Sequence, residues 1–448
     1  MPMRKQTLIP IFTLNVLIAF SPANTAAQSP SPDSWKPTEM AAAKASKSAH
    51  FAEAEKLLND NLNLAETLTA KDARRPRTMY DLAQVYRAEG KYDDAFPLYE
   101  RALQLYITLY GHDAEEIADT LDGEAELYKS LNDYPHAEPL LLDALAIRQK
   151  VLKPDDPAIA QSQNDLGELY TATGAFGKAA PLLTTALAAR QKDPGPASPE
   201  TAQTLEALGT LYSKSGHGKQ AEDFYRQAVS IFGKTVGGDH PDYASAMENL
   251  ALAYGARRDF TDAEPLLLRV LEIRINTFGP NHRDVAASLD NLGAMRRSEG
   301  KSEDAAACYE KAIVIWTKVL GPDSPDLAPD LNNLGAIYES SNDKPRAEPL
   351  FLRAAAIDEK ALGAESPELG TDLNNLGLLY LFLKRYDEAQ KTYQRALAIR
   401  MKALGDQDPA VAETMHSYAV VLINLGRQSE ARQMEARAQA IQHGPGPK

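Results

Sequence analysis

Residues 366–405 read SPELGTDLNNLGLLYLFLKRYDEAQKTYQRALAIRMKALG. The run divides into two helices. Ser366-Pro367 is a start signal, a capping hydroxyl followed by proline at the first helical position. Leu373, Leu376 and Tyr380 recur at helical spacing, and Gly377 leaves room for a second helix to approach. Lys384-Arg385-Tyr386 is a polar break. The second helix carries Ala389, Tyr393 and Ala396 at i, i+4 and i+7. Each helix has one apolar stripe and cannot bury it alone. The stretch therefore needs neighbours.

The rest of the chain supplies them. The Tyr380 position recurs every 42 residues, as Tyr86, Tyr128, Tyr170, Tyr212, Tyr254, Arg296, Tyr338, Tyr380 and Leu422. Nine residues after each stands an alanine, from Ala95 to Ala431, without exception. The Gly377 position holds only Gly or Ala in all nine copies. Small residues at fixed places on both helices mean close helix contact, where a larger side chain would cost roughly 1–3 kcal/mol. Such a period predicts an all-α solenoid of about nine to ten helical hairpins, each burying its neighbour's face.

Leu376-Gly377-x-x-Tyr380 followed by Ala389-x-x-x-Tyr393 and Ala396 resembles the tetratricopeptide repeat. Leu331-Asn332-Asn333-Leu334-Gly335 and Leu373-Asn374-Asn375-Leu376-Gly377 resemble the 42-residue repeats of kinesin light chains and their bacterial relatives. The resemblance covers 73–442 and implies a right-handed superhelix. It is specific for fold and weak for function, because such repeats serve many unrelated partners.

The N-terminus has a different character. Arg4 and Lys5 precede a mostly apolar run from Leu8 to Phe20, and Thr25-Ala26-Ala27 offers small residues for cleavage. This is the layout of a signal peptide over 1–27, too short to span a bilayer, and predicts an exported chain, periplasmic or secreted. Residues 28–37, with Pro30, Pro32 and Pro37, read as a linker. Residues 38–72 read as a degenerate capping hairpin, in which Ala54 takes the alanine position. Nine repeats follow over 73–442, and 443–448 is a loose tail.

Repeat boundaries reuse their chemistry. Asp156-Pro157, Ser198-Pro199, His240-Pro241, Ser324-Pro325, Ser366-Pro367 and Asp408-Pro409 each open a first helix. Gly90, Gly174, Gly216, Gly300 and Gly426 close one where a positive φ is needed, and Asn132 and Asn342 do the same. Three departures stand out. Glu124 occupies a leucine position, Arg296 the tyrosine position of repeat six, and Glu435 an aromatic position of repeat nine. Arg296 marks either a bend or a functional site.

Composition narrows the function. The net charge is −14 with no basic stripe, which argues against nucleic acid. Cys308 is the sole cysteine, so no intramolecular disulfide exists, and its place beside Tyr309 on a second helix suits core packing. The eight histidines are scattered without ligand spacing; His240 and His282 suit loop and capping roles. No nucleophile-elbow or phosphate-loop motif occurs. The reading is non-enzymatic, with no metal, no cofactor and no membrane span.

What remains is a groove. On a helical wheel Leu373, Leu376, Gly377 and Tyr380 face the packing side, while Thr371, Asn374, Leu378 and Leu381 point about a third of a turn away. The resemblance implies that this second face lines a concave surface. Its equivalents are Gln161, Asn164, Glu168 and Thr171 in repeat three, and Asn332 in repeat seven. The face turns apolar at Val420 and Ile423. Asn249, Asn291, Asn333 and Asn375 form a column of amides, able to bond a peptide backbone or a neighbouring repeat. The expected function is a scaffold that binds a peptide or protein segment, at Asn249, Asn291, Asn333, Asn375, Asn332, Asn374, Leu378 and Leu381. The alternative is an accessory module of a separately encoded exported enzyme.

Overall fold

A computed structural model describes residues 35–442 apart from 48–50, 66–67 and 70. The segment read as a signal peptide, most of the linker and the tail lie outside the described residues. The described residues form twenty α-helices with no strand. They fall into two compact units, one ending at Leu109 and one starting at Tyr110.

The first unit holds α1 (Trp35–Lys47), α2 (Phe51–Ala65), α3 (Arg74–Ala88) and α4 (Tyr92–Tyr110). Helix α1 starts at Trp35, so the last three residues of the stretch read as linker are helical. Helices α1 and α2 pack as a hairpin around Ala42, Ala54 and Leu58, with Leu82 and Val85 of α3 in the same core.

The second unit is built from eight hairpins. They are α5 (Glu115–Ser130) with α6 (Tyr134–Val151), α7 (Pro157–Ala172) with α8 (Phe176–Lys192), α9 (Pro199–Lys214) with α10 (Gly218–Thr235), and α11 (Pro241–Ala256) with α12 (Phe260–Phe278). They continue as α13 (Arg283–Glu299) with α14 (Ser302–Leu320), α15 (Ala328–Ser340) with α16 (Lys344–Leu362), α17 (Pro367–Phe382) with α18 (Tyr386–Leu404), and α19 (Pro409–Asn424) with α20 (Gln428–Gln442). From α5 to α20 each helix packs on the next. First helices of adjacent hairpins also meet, as α7 with α9 and α9 with α11.

The packing explains the invariant positions. Every alanine from Ala95 to Ala431 is at most 2% exposed. At Gly209 an added Cβ would stand 2.5 Å from the Tyr225 ring, and at Gly335 it would stand 2.8 Å from Phe351. Those glycines are small because a buried ring fills the space of their missing side chain.

The boundaries follow local hydrogen bonding. Asp156, Ser198, Ser366 and Asp408 accept backbone N–H groups of the following turn. His240 and His282 do the same through Nδ1, at 3.2 Å to the N–H of Asp242 and of Asp284. Ser324-Pro325 departs from this pattern: it opens a 3-10 turn over Pro325–Leu327 that runs on into α15.

All seven residues read as helix closers have positive φ, and so do Arg258 (62°) and Lys384 (58°) at the same place in their repeats. A side chain there costs about 1–2 kcal/mol relative to glycine. Lys384→Gly is therefore expected to raise stability by about 1 kcal/mol, measured by urea denaturation. An unchanged or lowered midpoint would show that Lys384 makes a compensating contact.

Candidate ligand-binding face

The wheel face of repeat three does line a recess. Gln161, Asn164, Asp165, Glu168 and Thr171 of α7 share a cavity of about 590 Å³ with Gln203, Glu206, Ala207 and Thr210 of α9. Gln161, Asn164 and Glu168 step by 42 residues onto Gln203, Glu206 and Thr210, so adjacent first helices contribute the same face. Lys129, Tyr134, Ala172, Lys214 and Asn249 complete the lining.

The lining residues are mostly polar, with three carboxyls and two lysines. Asn164 is 2% exposed. Its amide donates to Glu168 Oε1 at 2.8 Å, while its carbonyl Oδ1 is buried with no hydrogen-bond partner. A buried acceptor left unmade costs about 1–3 kcal/mol, so this atom is poised for a donor. Gln161 donates to Asp165 at 2.7 Å, and Asn249 donates to Glu206 at 3.0 Å. Withdrawal from water, reinforced by Glu168 and Glu126, pushes the Asp165 carboxyl up to about 8. Burial likewise pushes Glu206 up to about 7 against the Asn249 hydrogen bond. Burial alone would lower Lys129, but Glu126 and Glu168 more than offset it and the group is raised.

The position of the cavity comes from one residue of the amide column. At three of the four asparagines the amide reaches back 43 residues to the preceding repeat: Asn249 to Glu206 at 3.0 Å, Asn291 to Glu248 at 3.0 Å, and Asn375 to Asn332 at 3.3 Å. In repeat four the column holds Ala207. Its counterpart 43 residues back is Asn164, the residue with the unpaired carbonyl. The missing amide leaves both the space and the acceptor.

Most of the column is thus engaged between repeats. Asn333 accepts from Arg297 at 2.9 Å. Asn332 donates to buried Asp372 at 2.6 Å. Asn374 is buried with its carbonyl unpaired. Leu378 is half-buried, and Leu381 packs against the core. Of the eight candidate residues, Asn249 alone lines the polar cavity. Val420 and Ile423 line a separate apolar recess of about 520 Å³ beside α20. Arg296 binds Glu264 at 2.9 and 3.0 Å, as Tyr170 binds Glu138 at 2.7 Å in repeat three.

Sequence reasoning missed a second column. Arg148, Arg190, Arg274 and Arg400 occupy one position in their repeats and are at most 8% exposed. Each bonds the hydroxyl 14 residues on: Ser162, Thr204, Ser288 and Thr414 respectively. Arg274 also grips both oxygens of Glu248 at 2.8 Å. Where repeats four, six and seven lack the arginine, the residue 14 on changes too: Phe232 stands with Ala246, Trp316 with Asp330, and Asp358 with Asp372, whereas Tyr106 of repeat one keeps Thr120 at that spacing. The period-42 recurrence of Arg followed by Ser or Thr was a usable signal.

Among the described residues no group of three or more His, Cys, Asp or Glu is placed to hold a metal ion, and no helix is long and apolar enough to cross a membrane.

The family model described as tetratricopeptide repeat matches residues 74–150, 133–192, 158–234, 220–276, 242–313, 284–360 and 368–442. Comparison with curated protein sequences finds no match. Among solved structures, the kinesin light chain repeats of Podosopora anserina are similar at 25% identity over 46% of this chain and 97% of that one, with a TM-score of 0.42. A Rap protein complexed with competence and sporulation factor is similar at 13% identity over 83% and 98%, with a TM-score of 0.51. A signal transduction ATPase from Pyrococcus horikoshii with a tetratricopeptide repeat sensor is similar at 15% identity over 81% and 52%, with a TM-score of 0.55.

Proposed function

Since this chain belongs to the tetratricopeptide repeat family, we propose that it is a non-enzymatic scaffold whose first-helix face takes up an extended segment of a partner protein. One observation carries the reading. The polar cavity between α7 and α9 presents a buried, unpaired Asn164 carbonyl beside amides and carboxyls spaced by the repeat. A backbone N–H of an extended segment supplies the donor that Asn164 lacks, and Gln203 can both donate to and accept from such a backbone.

The test restores the column. Ala207→Asn places an amide where Asn249 and Asn291 have theirs, within reach of Asn164. It is expected to fill the cavity, to raise stability by about 1 kcal/mol through the new hydrogen bond, and to weaken peptide binding about tenfold. Peptides selected from a displayed library on the full chain provide the probe. Calorimetric affinity and melting temperature are measured on one preparation. Selected peptides that bind the stabilised variant unchanged would overturn the reading.

A further inference from the structure

We propose that the polar cavity holds a lysine or arginine side chain of the bound segment, with its cationic head among the Asp165, Glu168 and Glu206 carboxyls. The proposal rests on the segment-binding reading and adds the chemistry that the site selects.

The argument starts from the arginine column. In repeat five Arg274 reaches back 26 residues to clasp Glu248. Stepping that relation back by one repeat joins position 232 to Glu206, and position 232 is Phe232, fully buried. Repeat four therefore keeps the acid and lacks its arginine. Among the described residues no ion pair reaches Glu206 or Asp165; their hydrogen bonds come from the neutral amides of Asn249 and Gln161. Glu168 has only Lys129, at 3.6 Å, and that ammonium is bound closer to Glu126, at 2.6 Å. Lys214, the other cation of the lining, is exposed at the rim.

Three carboxyls line the space, and each nearby cation is engaged elsewhere or peripheral: Lys129 with Glu126, Arg190 with Gln161, Glu200 and Thr204, and Lys214 at the rim. The uncharged Asn164 carbonyl adds an acceptor able to take an N–H of a guanidinium or ammonium. An incoming cation draws the desolvated carboxyls toward their ionised form and is attracted by the charge that results. A neutral or acidic side chain does neither. The partner segment is accordingly basic at the residue that enters the cavity.

The variants are chosen to fold. Asp165 stands at the column position that carries asparagine in Asn249, Asn291, Asn333 and Asn375, so Asp165→Asn is a residue the repeat already accommodates. Glu206→Gln keeps the acceptor for Asn249. The probes are fluorescein-labelled capped Ala-Ala-Arg-Ala-Ala, its citrulline counterpart of the same shape without charge, and argininamide as a free small cation. Binding to the full-length chain is read by anisotropy and calorimetry.

The arginine peptide is expected to bind at least about tenfold more tightly than the citrulline peptide. The preference should vanish in the Asp165→Asn/Glu206→Gln variant and shrink with added salt. Binding should also tighten from pH 6 to pH 8.5 as Asp165 and Glu206 ionise. The groups facing Asp165 are Glu168, Glu126, Asp122, Lys129 and Arg190, and those facing Glu206 are Asn249, Asp242, Glu168 and Tyr225. Equal binding of both peptides, blocked by Ala207→Asn, would overturn the cation proposal and leave segment binding intact. Argininamide binding as tightly as the arginine peptide would keep the cation chemistry, assign it to a free small molecule and overturn segment binding. No binding by either peptide or by argininamide would overturn both.

Discussion

Arg274→Ala is expected to destabilise the protein by about 3–5 kcal/mol. The guanidinium is 8% exposed and serves two neighbours at once. It donates to both oxygens of Glu248 at 2.8 Å and to the Ser288 hydroxyl at 2.7 Å. The Glu248 side chain is itself only 15% exposed. Truncating the arginine strands that carboxylate, leaving it with the Asn291 amide alone. The penalty comes mainly from the uncompensated charge, so a second change that removes the charge should recover much of it. Arg274→Ala and Arg274→Ala/Glu248→Gln are compared by urea denaturation, with hydrogen exchange to locate the loss. Because each hairpin contacts its neighbours, faster exchange should concentrate in α11 to α14. A single-mutant loss under about 1 kcal/mol, or no recovery in the double mutant, would show that this pair does not hold its joint.

The second large effect is a dependence on pH that runs against the common acid-labile pattern. Asp330 is 5% exposed and faces Asp290, which accepts the indole N–H of Trp316 at 2.9 Å. Burial first, then the neighbouring Asp290 charge and the hydrogen bond to it, push Asp330 far above the usual aspartate range. Asp358, 3% exposed, is pushed up in the same way by burial and by Asp372, which takes the Asn332 amide. One carboxyl of each pair is therefore expected to keep its proton and donate it to the other. Among the described residues no cation contributes to either pair; Tyr309 faces the first and Glu368 the second.

A carboxyl whose pKa is raised by folding binds more protons folded than unfolded. Its contribution to stability is complete below the unfolded value near 4 and is lost as pH climbs through the folded value. Glu206, at about 7, and Asp122, at about 6, add to the same trend. The chain is expected to melt at a higher temperature at pH 5 than at pH 8.5. Asp330→Asn supplies the donor without a proton to lose. It should stabilise the chain by about 2 kcal/mol at pH 8.5 and change little at pH 5. Parallel melting curves for the two proteins at both pH values would refute the shared proton.

The parts of this fold that depend on spacing within one helix could be read from sequence. The capping role of His240 and His282 is one case, since the acceptor and its N–H lie two residues apart. The Gly and Ala positions are another, since small side chains at a fixed period leave few alternatives. Arg258 and Lys384 escaped because neither residue type advertises a positive φ. The arginine column escaped because its partners lie 14 residues on and 26 to 29 back, in other helices. The face of repeat three was legible at Gln161, Asn164, Glu168 and Thr171. The depth of the cavity there was not, because it depends on what Ala207 fails to reach.

The paired exchanges in the arginine column bear on how such an array can change over generations. Unequal recombination lengthens or shortens a repeat protein by whole units, and units of one length are often treated as interchangeable. Here the joints carry keys: Arg with Ser or Thr at four, then Phe232 with Ala246, Trp316 with Asp330, and Asp358 with Asp372. Loss of residues 157–198 would join Arg148 to Thr204, a match. Loss of residues 367–408 would set the buried Asp358 against Thr414 and strand a carboxyl that now pairs with Asp372. The order of the repeats is thus written into their interfaces, and the chain tolerates crossovers only where the keys on both sides agree.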